Sequence, residues 1–153
     1  MRPAPLIPGL DPDPEQTREW INLNAFTAQL LATGLMSDAW LTFGIVRMRD
    51  AFEERGHTTL GTDCNVLVAD VWIWYAGKIL YRYLSGDISE VDELILRSPG
   101  DLFDGKAKSG LDRWNFWKTR AVEIRHAVSQ ELRSVAMRIT KRMVAIEEGQ
   151  VMI

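Results

Sequence analysis

The chain is predicted to be an all-α single-domain bundle of about six helices packed around a central apolar helix at residues 63–84. Three observations predict it. Apolar residues recur at spacings of three and four along most of the chain, strand-type alternation bounded by hairpin turns is absent, and five of the six prolines lie within residues 1–14. A length of 153 residues suits one domain with a real core.

The proline-rich residues 1–12 form an extended arm, and residues 13–153 the helical domain. The first helix starts with Asp13 as cap, Pro14 in the first helical position and Gln16 placed to close a capping box. Trp20, Leu23, Thr27, Leu30 and Leu31 follow at helical spacing, and Gly34 ends it. Ser37 caps a second helix reaching about Arg55, whose apolar face holds Leu41, Ile45, Met48 and Phe52, widened by Trp40, Gly44 and Ala51. After the loop 56–62, Asp63 caps the third helix, which runs to about Leu84. Ser89 and Asp92 suggest a short fourth helix that Ser98-Pro99 stops. Residues 99–110 hold three glycines and form the one long internal connection, a candidate lid. A fifth helix carries Trp114, Trp117, Ala121 and Ile124 on one face. Ser129 caps a sixth, with Leu132, Val135, Ala136, Ile139, Met143 and Ile146 in line.

The third helix is apolar all round, which predicts burial all round. Within it Asp70, Trp74, Gly77 and Tyr81 share one narrow stripe. Gly77 lets a partner, helix or ligand, approach the backbone at a cost of about 1 kcal/mol against alanine. A carboxylate on a central helix needs a partner, so Asp70 either joins a structural ion pair or faces a pocket. Arg47 and Arg49 flank the apolar face of the second helix, and the guanidinium group suits recognition of carboxylates. Asn24 stands among the core-facing positions of the first helix, as a structural hydrogen-bonding group or a ligand contact.

The composition excludes several classes. Net charge is −3, so there is no overall attraction to nucleic acid or anionic membrane, and the basic residues of 106–142 scatter around their helices. No apolar run is long enough to span a bilayer, and the N-terminus lacks the apolar core of a signal peptide. One cysteine, Cys64, rules out an internal disulfide. The chain is therefore expected to be soluble, intracellular and cytoplasmic. Two distant histidines give no zinc-type spacing, so no metal is expected; there is neither a phosphate loop nor a Gly-x-Ser-x-Gly elbow, and no cofactor is expected.

Four blocks, LNAFTAQLLATGL (23–35), MRDAFEE (48–54), DCNVLVADVWIWYAGKILY (63–81) and GLDRWNFWKTR (110–120), resemble in order and spacing a fungal family of small helical proteins, the domain of unknown function 3632. The resemblance runs from about Trp20 to Glu147; relatives carry small residues around Asp70, so a role for Asp70 would be particular to this chain. It implies a fungal origin and a place near biosynthesis of terpenoid or polyketide metabolites. The chain is also similar to small helical proteins proposed as cofactor-free cyclases, including a norbornene-forming Diels–Alderase of diterpenoid biosynthesis.

Three functions are expected to compete. The first is a cofactor-independent, Diels–Alderase-like cyclase that folds a lipophilic small-molecule substrate in an aromatic pocket. Orientation alone can supply about 7–11 kcal/mol in the best intramolecular systems, and one hydrogen bond to a conjugated carbonyl roughly 3 kcal/mol. Its catalytic candidates are Tyr81, Arg47, Arg49 and Asp70. Its substrate-binding candidates are Asn24, Trp40, Phe43, Trp74, Gly77, Trp114 and Trp117. The second is a non-catalytic binding protein in which the aromatics are core and any exposed excess forms a homodimer or partner surface. The third is an acid–base isomerase or dehydratase using Asp70 or Tyr81 with Arg47.

Overall fold

The computed structural model describes residues 11–55, 57–86, 100, 102–103 and 110–149. These form five α-helices and two 3-10 turns, with no strand among the described residues. The helices are α1 (Pro14–Ala32), α2 (Leu41–Phe52), α3 (Thr59–Ser85), α4 (Gly110–Ile124) and α5 (Arg133–Glu147). The helix expected over 89–98, the lid expected at 99–110 and the arm up to residue 10 lie wholly or largely outside the described residues.

Local chemistry sets most boundaries. Asp13 accepts from the backbone N–H groups of Glu15 and Gln16, and Pro14 opens α1. Gly34 takes φ +75° just beyond it, a left-handed turn that suits glycine. Ser37 Oγ accepts from Ala39 N at 3.3 Å and starts the short turn Asp38–Trp40 ahead of α2. Several boundaries differ from expectation: the residue ahead of α2 is Trp40, not Ser37, and the one ahead of α5 is Leu132, not Ser129. Thr58, not Asp63, caps α3, by accepting from Gly61 N. Asp63 lies one turn inside α3 and accepts from Ser129 N (2.8 Å) and Ser129 Oγ (2.7 Å), so it anchors the entrance to the α5 segment. The second helix stops at Phe52, short of Arg55, because Glu53 turns inward.

Consecutive helices run antiparallel, giving an up-down-up-down-up order. Asp50 pairs with Asn65 and Gly44 with Trp72 along α2 and α3; Leu84 meets Gly110 and Tyr81 meets Trp114 along α3 and α4. Hence α1 and α5 both run parallel to α3. Along α5 the pairs are Asp70–Arg138, Trp74–Arg142 and Gly77–Ile146.

The third helix is central, since the other four pack on it. Its side chains Val66, Trp72, Ile73, Ala76 and Leu80 are all buried in one continuous core. It is not buried all round. Trp74 is 49% exposed and Tyr75 39%, because α1 and α5 flank the helix without closing over that sector. No helix among the described residues is long and apolar enough to cross a membrane.

Candidate functional site

The α1–α2 hairpin holds an apolar cleft of about 360 Å³, lined by Trp20, Leu23, Asn24, Thr27, Trp40, Phe43, Arg47 and Trp72. That volume lies in the range of about 300–1,000 Å³ typical of small-molecule sites. Helix α1 supplies one wall through residues spaced by three and four: 20, 23, 24 and 27. The turn before α2 and its first two turns supply the other wall through residues 40, 43 and 47. The Trp72 indole of α3 is the floor.

The floor is fixed by one buried hydrogen bond. Trp72 Nε1–H donates to Asn24 Oδ1 at 2.8 Å, while Asn24 Nδ2 donates to the carbonyl of Trp20 at 2.9 Å. Both ends of the Asn24 amide are engaged, so it orients the floor instead of offering itself to a ligand. Gly44 makes room for the Trp72 ring; a Cβ there would stand 2.8 Å from Trp72 Cε3. Trp40 and Phe43 pack ring to ring at 5.4 Å with a 37° tilt.

Arg47 gives the cleft one charged end. Its guanidinium lies 5.0 Å from the centre of the Trp20 ring. Its Nε is 3.3 Å from Asp50 Oδ2, yet that N–H finds no in-line acceptor among the described residues. Burial pushes the Arg47 guanidinium below its usual range, with Asp50 opposing the shift and Arg49 adding to it. It remains a cation at neutral pH. Burial pushes the Asp50 carboxyl up, and the neighbouring Arg47 partly offsets this. The cleft can therefore hold an apolar body between indoles and a carboxylate or carbonyl at Arg47.

Of the candidates read from the sequence, the fold brings Asn24, Trp40, Phe43 and Arg47 together here. It sends the others elsewhere. Arg49 lies toward Asp50 and Glu54, at 3.7 and 3.6 Å, at the far end of α2. Asp70 accepts a two-pronged contact from Arg138, at 3.1 and 2.6 Å, which answers its need for a partner with a structural pair. Trp74 faces solvent under the Arg142 guanidinium, 4.4 Å from its ring centre. Gly77 receives Ile146 of α5, so its close approach is to a helix. Tyr81 packs edge-on against Trp114 at 5.0 Å.

Trp114 and Trp117 are fully buried and line no part of the cleft. Trp117 Nε1–H donates to Glu53 Oε2 at 2.6 Å, and Trp114 Nε1–H to Glu147 at 2.7 Å. Glu53 also accepts from Arg113 (2.7 and 2.9 Å) and from Gly100 N (3.1 Å), tying α2, α4 and residue 100 together. These indoles are core because their N–H groups are held by the buried Glu53 and the part-buried Glu147, carboxylates distant in sequence that no local spacing discloses.

Sequence reasoning missed Trp20 and Trp72 as rings that line the cleft. Trp20 carried a signal, since its helical spacing places it beside Leu23, Asn24 and Thr27 on one face. Trp72 carried none, being one of many aromatics on a helix without a distinct polar side.

No curated protein and no solved structure matches the chain. A family model does, over residues 8–121, which spans both walls and the floor of the cleft. The chain thus belongs to the family described as Protein of unknown function (DUF3632).

Proposed function

We propose that the α1–α2 cleft binds a lipophilic small molecule carrying a carboxylate or conjugated carbonyl, and that the protein acts on it as a cofactor-independent cyclase of the Diels–Alderase kind. The observation that carries this reading is the cleft itself: three indoles and the Phe43 ring around about 360 Å³, with one cation at its end. A pericyclic ring closure needs a polyene held in a reactive fold and little else. The aromatic walls would hold that fold, and the Arg47 N–H would polarise a carbonyl conjugated with the reacting alkene. A fungal terpenoid or polyketide intermediate has the required chemistry.

The acid–base reading lacks its groups in one place, because Asp70 and Tyr81 are not brought to Arg47. The binding-only reading uses the same cleft and asks no chemistry of its lining. One experiment separates the two surviving readings. The protein is incubated with linear polyenes bearing a terminal carboxylate or enal, while tryptophan emission and product mass are followed. Quenching together with an isomer of unchanged mass, formed at a rate flat between about pH 6 and 9, supports the cyclase. Quenching without an isomer leaves a binding protein. Neither signal with any member of the series removes the cleft as a ligand site.

A further inference from the structure

The α1–α2 hairpin is unusual in a second respect. Residues 20–46 contain a single charged residue, Asp38, in a chain that is 25% charged. Its large apolar side chains also reach solvent: Leu35 is 89% exposed, Phe26 59%, Phe43 49%, Trp40 44% and Leu30 38%. They are not scattered. Phe26 and Leu30 lie beside the wall residues Leu23 and Thr27 on α1, and Trp40 and Phe43 line the opposite wall. Leu35 projects from the tip, immediately after the left-handed turn at Gly34. The cleft therefore opens onto an apolar rim of a hairpin segment whose one charged residue is Asp38.

We propose that this rim docks on the surface of a neutral lipid bilayer, from which the cleft takes its ligand. This rests on the cleft being a ligand site, since a molecule lipophilic enough to fill it partitions into membrane before it reaches water. Tryptophan, phenylalanine and leucine on a protruding edge are the side chains that enter the boundary between headgroups and acyl chains. The near absence of charge in residues 20–46 matches a neutral lipid surface, which offers no ion-pair partner. With a net charge of −3, the chain gains nothing from anionic lipid.

The test uses the full chain, phosphatidylcholine vesicles and the double variant Phe26→Ser/Leu35→Ser. Both residues are exposed and neither lines the cleft, so the variant keeps its fold and its walls. Co-flotation of the wild type with vesicles is expected, together with a blue shift of tryptophan emission and little change between about 0.1 and 0.5 M salt. The double variant should bind vesicles at least tenfold more weakly. A wild type that stays in the soluble fraction, or a variant that floats equally well, overturns the proposal. So does a concentration-dependent dimer that the variant abolishes, since the rim would then belong to a second copy. Binding of a short-chain, water-soluble polyene acid is measured in parallel without vesicles. Its loss in the wild type refutes the cleft, whereas its retention beside failed flotation refutes only the membrane docking.

Discussion

Arg47 and Trp74 show how differently two candidate residues fare once neighbours are assigned. Arg47 ends the cleft with a guanidinium beside the Trp20 ring, which places a positive charge where a ligand oxygen would lie. Arg47→Gln is expected to weaken binding of a polyene carboxylate by about 10–100-fold, the equivalent of one charge-assisted hydrogen bond, and to leave the matching alcohol almost unchanged. Titration of tryptophan emission with the acid and alcohol checks this. Trp74→Ala should not alter ligand binding, because that ring lies on the opposite flank of α3 with Arg142. A binding loss in this variant beyond about twofold would contradict the placement. Asp50 gives a pH signature. Its folded carboxyl titrates above its unfolded value, so its contribution is most favourable at low pH and declines as pH rises through the window from about 4 upward. In Asp50→Asn that part of the pH dependence should vanish from urea-unfolding curves.

Among the elements, α2 and α4 are joined by the most consequential single contact. Glu53 and Arg113 are both fully buried and meet at 2.7 Å. Glu53→Gln removes the charge that balances Arg113, and breaking a buried pair from one side costs about 3–5 kcal/mol. For a chain of this length that lowers the melting temperature by roughly 2–4 °C per kcal/mol, readable by calorimetry. Gly44 sets the spacing of α2 from α3. Its alanine variant would press on the Trp72 ring, which is pinned by Asn24 and cannot swing away. Gly44→Ala is expected to cost about 1–3 kcal/mol and to weaken ligand binding, since the displaced ring is the cleft floor. Gly77→Ala meets only the flexible end of Ile146 and should be milder, with unchanged binding.

Over the whole molecule, the five described helices follow from local pattern to within a turn. The cap at Asp13, the turn that Ser37 starts ahead of α2 and the stop at Gly34 are legible, because each is a contact between residues two to four apart. Asp63 is where this kind of reading misleads. It looks like a cap from its own neighbours, yet its partner Ser129 is on a distant segment. The candidate site was legible in part. Asn24, Trp40, Phe43 and Arg47 belong to two consecutive helices joined by a short turn, so their meeting is almost a local event. Trp114, Trp117, Asp70 and Tyr81 were equally plausible by residue type, and each is claimed by a partner far along the chain.

The sequence alone determined the all-α class, the central place of the third helix and an excess of aromatic rings on its helices. Helical periodicity does that, because it dictates which residues share a face. Only the tertiary structure decided which rings fill the core and which enclose a cleft. Two faces with the same composition become core or wall according to how closely another helix approaches. That approach is set at α1 and α2 by Gly44, the Trp72–Asn24 hydrogen bond and the buried Glu53 carboxylate, contacts spanning long separations that no local pattern records.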